Sequence, residues 1–88
     1  MSDTNNSRKA IHFNDAMYAL DMAREHGQPV NIRAWEGMTG NILDYKGWKV
    51  SSSNWKKGWH RLINPVNGQI RTVPDIFIFE VNGLAVYL

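Results

Sequence analysis

At 88 residues, with a net charge of +2 and no cysteine, the chain is long enough for one small domain and excludes disulfides, thiolate zinc sites and thiol nucleophiles. Met1–Ala10 has no apolar run of signal-peptide length and no later segment is long enough for a membrane span, so a cytoplasmic protein with no membrane partner is expected. The charge is unevenly spread: Lys46, Lys49, Lys56, Lys57, Arg61 and Arg71 fall between Asp44 and Asp75 with no carboxylate among them.

Residues 1–10 are polar and read as a disordered tail, leaving 11–88 as a single α+β domain. Phe13, Ala16, Met17, Leu20 and Ala23 then recur at spacings of three and four, which predicts an amphipathic helix over about 14–26. Asn14 or Asp15 suits its first turn, and Gly27 with Pro29 ends it. Val30–Trp35 alternates apolar and polar residues as a strand does. Gly37–Gly40 is a turn, and Asn41–Val50 a second strand bent at Gly47. Ser51–Asn54 reads as a break. Trp59–Ile63 and Gln69–Val73 are further strands around an Asn64–Gly68 loop, with a kink at Pro74.

The end of the chain is a β-hairpin. Asn82-Gly83 tolerates the positive φ angles of a type I′ turn and fixes the register Val81 to Leu84, Phe79 to Val86 and Phe77 to Leu88, placing all six on one apolar face. The other face carries Ile76, Ile78 and Tyr87, a candidate protein interface. Five or six short antiparallel strands with one apolar face are expected to curl into a small barrel, SH3-like or OB-like, with the helix as an N-terminal addition.

Two segments carry resemblances. Ala16 to Trp35, with Arg24-Glu25-His26-Gly27-Gln28-Pro29-Val30 before the strand, resembles the helix-to-strand entry of thioredoxin-like proteins, but no Cys-x-x-Cys follows Trp35 and the redox activity is not carried over. Ile70-Arg71-Thr72-Val73-Pro74-Asp75 with Ile78-Phe79-Glu80-Val81-Asn82-Gly83 is similar to the C-terminal ends of small proteins from phages and mobile elements of gut bacteria, a group that implies a fold and no defined activity.

The basic stretch is interleaved with Tyr45, Trp48, Trp55 and Trp59. Cations that track phosphates beside rings that stack on unpaired bases are what single-stranded nucleic acid requires. Lys46, Trp48, Lys49, Trp55, Lys56, Lys57, Trp59, His60, Arg61 and Arg71 are the candidate residues; Trp55 falls in an apparent loop, and at least one of the rings is expected to be exposed. Six phosphate contacts imply a loss of about a thousandfold in affinity between about 50 and 200 mM salt. The competing reading of the same residues is ordinary: tryptophans in a core or rim, and lysines keeping a β surface soluble. His60 on its own reads as a solvated strand histidine.

Nothing here forms a catalytic signature. Ser51, Ser52 and Ser53 with His60 and Asp44 or Asp75 lack the constrained setting of a serine nucleophile, and the histidines at 12, 26 and 60 have no metal-ligand spacing. The expectation is a non-enzymatic binding module without cofactor or metal. The alternative is a structural or protein-interaction module, homodimeric, with no nucleic-acid role.

Overall fold

The computed structural model describes residues 9–88. Its elements are β1 (Ala10–His12), α1 (Phe13–Glu25), β2 (Pro29–Trp35), β3 (Ile42–Asn54), β4 (Trp59–Ile63), β5 (Ile70–Pro74), a 3-10 turn (Asp75–Phe77), β6 (Ile78–Val81) and β7 (Leu84–Tyr87). Among the described residues the class is α+β, with one α-helix and one seven-stranded sheet ordered β1-β7-β6-β2-β3-β4-β5. The tail expected over residues 1–10 lies outside the described residues up to Arg8, and from Ala10 the chain is strand.

Two expectations are corrected. β1 adds a seventh strand that runs parallel to β7, pairing Ala10 with Ala85 and His12 with Tyr87, so the sheet is not wholly antiparallel. No ladder joins β5 to β1, and the sheet is not closed into a barrel.

It is nevertheless strongly curled. In a flat sheet β5 and β6 would stand four strand spacings apart, about 19 Å. Only the three-residue 3-10 turn connects them, and at about 2 Å rise per residue it spans about 6 Å. The sheet must therefore fold over on itself, and β3 supplies the bend. Its first half pairs with β2 and its second with β4. An extra residue at Gly47, at φ 71°, and another at Ser51 interrupt the two ladders. The serines expected to break the strand thus continue it, because β4 offers Arg61, His60 and Trp59 opposite Ser52, Ser53 and Asn54.

The concave face holds the core: Val30, Ile32 and Ala34 of β2, Tyr45 and Val50 of β3, Leu62, Val73, Ile78 and Val81. Helix α1 covers it with Ala16 and Leu20. The helix is capped by His12, whose Nδ1 accepts from the Asn14 amide at 3.1 Å, and Asp15 stands in its first turn as expected.

The final hairpin turns where expected, with Asn82 at φ 51° and Gly83 at φ 83°, and pairs Val81 with Leu84. Its single apolar face does not form. Ala34 of β2 pairs with Ile78 and Arg33 with Glu80, which leaves Phe79 as an extra residue and reverses the alternation there. Ile78 turns into the core opposite the small Ala34, and Phe79 turns outward against Trp35, ring centroids 4.9 Å apart. Phe77 is in the 3-10 turn and Leu88 is exposed.

Candidate nucleic-acid interface

Residues directly opposite on antiparallel strands share a face, so the ladders sort the basic segment. On β4, His60 and Leu62 are buried while Trp59, Arg61 and Ile63 point the other way. Asn54 faces Trp59, Ser52 faces Arg61 and Lys49 faces Ile63, which puts Lys49, Trp59 and Arg61 together on the convex outer surface. Thr72 of β5 is opposite Arg61 and accepts from its Nε at 3.3 Å. The Arg61 guanidinium also lies over the Trp59 ring at 4.8 Å.

The turn between β3 and β4 extends this surface. Asn54 organises it: its carbonyl accepts from the Gly58 amide at 2.8 Å and its Oδ1 from the Lys57 amide at 3.0 Å. Trp55 at the tip is 83% exposed, with the Lys56 ammonium 5.9 Å from its ring centroid. Among the described residues no carboxylate lies on β3 beyond Asp44, on β4 or on β5, and the next in sequence, Asp75, is buried. Lys49, Trp59 and Arg61 therefore share the outer face, Trp55, Lys56 and Lys57 lie in the turn at the end of the same hairpin, and among the described residues none of the four cations is in a salt bridge.

Four of the candidate residues lie elsewhere. Lys46 is outward but farther along β3, in a polar hollow with Asn31, Arg33, Asp44 and Glu80, where the two carboxylates offset the two cations. Trp48 is opposite Val30 on the core side and meets Tyr45 edge to face at 4.9 Å. Arg71 is opposite Leu62 and so belongs to the concave side of the edge strand, away from the outer face of Lys49, Trp59 and Arg61. There it acts on Tyr45, whose pKa burial raises, against a lowering by Arg71 and with a further rise from Glu36.

The largest correction concerns His60, which is 3% exposed. Its Nδ1 lies 2.7 Å from Asp75 Oδ1 and its Nε2 2.8 Å from Asp21 Oδ1. Burial acts against a charged ring, but hydrogen bonds and charge from Asp75 and Asp21 outweigh it and hold the pKa above the ordinary 6.5. Strand parity contained this signal, since His60 is two residues from Leu62. The serines do not reach the ring: Ser51 Oγ donates to the Arg61 carbonyl at 3.2 Å and Ser53 Oγ to Asp21 Oδ1 at 3.5 Å.

Of the interface candidates, Ile78 is buried, whereas Ile76 and Tyr87 are exposed. Ile76 belongs to an apolar groove with Phe13, Trp35, Phe79, Val86 and Leu88. No helix among the described residues is long and apolar enough to cross a membrane. Compared with family models, curated proteins and solved structures, the chain finds no match.

Proposed function

We propose that the protein is a non-enzymatic, cytoplasmic binding module, without cofactor, that takes single-stranded nucleic acid on the outer surface of the β3–β4 hairpin. The observation that carries this reading is the shared outer face of Lys49, Trp59 and Arg61, continued in the β3–β4 turn by Trp55, Lys56 and Lys57, with no carboxylate on β3 beyond Asp44 or on β4 among the described residues. Lysines and Arg61 follow the phosphates, while Trp55 and Trp59 stack on bases. An unpaired strand is preferred over a duplex because stacking requires bases whose faces are open.

The test is a titration of tryptophan fluorescence with a mixed-sequence single-stranded oligonucleotide at low salt, reversed by added salt. Four cations on a single strand give a slope of log affinity against log salt near −3, at about 0.7 per contact. Quenching that salt leaves unchanged, or no quenching at all, contradicts the reading.

The apolar groove around Ile76 favours a second reading, a protein-interaction module that pairs with a second copy of the chain. Ile76 is 80% exposed and Trp35 and Leu88 are also open to solvent. A dimer at micromolar concentration that has no affinity for the oligonucleotide decides for it.

A further inference from the structure

His60 and Asp75 are the buried polar pair of the described domain, and the outer surface uses neither. Each nitrogen of the His60 ring faces a carboxylate oxygen at hydrogen-bond distance, Asp75 on Nδ1 and Asp21 on Nε2. An ionised carboxylate only accepts, and a neutral imidazole has one N–H to give. The second nitrogen would then aim its lone pair at a carboxylate oxygen. Only the imidazolium, with both nitrogens protonated, satisfies both contacts.

The three residues belong to three elements. Asp21 is on α1, His60 on β4, and Asp75 opens the 3-10 turn that carries the chain from β5 to β6. Around them, Ser53 of β3 donates to Asp21, and Val73 of β5 is the apolar cross-strand neighbour of His60. Arg24 and Glu25 border a shallow depression with Asp21, and Arg24 Nε donates to the Ser51 carbonyl at 3.1 Å. Arg61, next in sequence, faces the other side of the sheet.

We propose that Asp21, His60 and Asp75 form a proton-operated clasp that holds α1 against the sheet while both ring nitrogens of His60 carry protons, and loosens it when one proton leaves. The proton that leaves is the one on Nε2. Losing the Nδ1 proton would strand the buried Asp75 carboxylate without its donor, whereas the Asp21 side chain is 54% exposed and water replaces the lost bond. The neutral ring then keeps Asp75 and repels Asp21, so the second half of the helix is released while the 3-10 turn stays anchored. The elevated pKa of His60 sets the direction: the clasp is shut below pH 6.5 and opens as pH rises through the folded value. The inference does not depend on the ligand of the outer surface.

The test is nitrogen NMR of the His60 ring in the full chain, with amide-exchange protection of residues 20–25 followed across the same pH range and corrected for intrinsic rates. The expected result is two ring N–H groups at low pH and a midpoint above 6.5. As the ring titrates, protection in this part of α1 should fall about tenfold or more relative to β2 and β3. Asp21→Asn keeps an acceptor for Nε2 but removes its charge, and should move both the ring midpoint and the helix loosening to lower pH together. A midpoint at or below 6.5, a single protonated nitrogen at low pH, or helix protection that ignores the ring titration overturns the proposal, and the wild-type chain alone decides each of these.

Discussion

The guanidinium of Arg61 rests over the ring of Trp59, 4.8 Å from its centroid. The two residues are two positions apart on β4 and so share its outer face, and Thr72 holds Arg61 from the neighbouring strand. Trp59 is thereby held in place by its own strand, and under the proposed function this lowers the ordering cost of stacking a base on it.

Arg61 and Trp59 should be separable by salt. Arg61→Ala should flatten the slope of log affinity against log salt by about 0.7, and Arg61→Lys should restore the slope because the charge returns. Trp59→Ala should leave the slope alone and weaken binding by about 1–3 kcal/mol at every salt concentration. Fluorescence anisotropy of a labelled oligonucleotide measures all three.

Trp55 offers the cleanest separation of binding from folding. Its ring is exposed, with the Lys56 ammonium 5.9 Å from its centroid. Trp55→Ala should change stability by less than about 0.5 kcal/mol in urea denaturation. Affinity for the single strand should fall by about 1–3 kcal/mol in the same preparation.

Asn31 and Asn82 lock the final hairpin to β2 reciprocally. The Asn31 amide donates to Asn82 Oδ1 at 2.9 Å and the Asn82 amide to the Asn31 carbonyl at 2.7 Å, while Asn31 Oδ1 accepts from the Gly47 amide at 2.9 Å. Asn82→Ala loses the side-chain bond and forces alanine to φ 51°, so it should cost about 2 kcal/mol. Asn82→Gly loses the bond but tolerates the angle, and should cost about 1 kcal/mol. Equal urea midpoints for the two variants would show that the angle contributes nothing.

These local features mark what was legible in the letters. Asn82-Gly83 announces its turn, and Trp59–Ile63 alternates cleanly enough to give its span, because a turn type and a period of two are properties of neighbouring residues. β1 was not legible: Ala10-Ile11-His12 is too short to show a period and is a strand only because β7 lies beside it. Phe79 went outward because β2, far away in sequence, imposed a bulge that the hairpin alone does not need. The His60 partners are 15 and 39 residues away, so only the inward parity of His60 could have been read. The same parity explains the surface. Lys49, Trp59 and Arg61 could be grouped from the sequence once the ladder was known, whereas Trp48 and Lys46 were displaced relative to each other by the extra residue at Gly47.

Leu20 is fully buried and is the main apolar contact of α1 with the core. Leu20→Ala should cost about 2–5 kcal/mol, a large share of the 5–15 kcal/mol typical of a domain. Thermal unfolding followed by circular dichroism should show the loss.

Stability should also depend on pH through His60. Its folded pKa lies above the ordinary value, so the folded chain binds the proton more tightly than the unfolded one. The resulting stabilisation is fully present below about pH 6.5. It is lost as pH rises through the folded value. Urea midpoints between pH 6 and 9 should therefore fall, and the fall should be shallower in Asp21→Asn, which removes one of the two carboxylates holding the proton.

The most direct measurement of the proposed binding surface is an amide chemical-shift map of the full chain with a short single-stranded oligonucleotide at low salt. Shifts concentrated at Lys49, Trp59, Arg61 and the 55–58 turn, with the indole N–H signals of Trp55 and Trp59 moving and that of Trp48 still, are the predicted result. Shifts centred on the groove of Phe13, Ile76 and Phe79, or none at all, would contradict it.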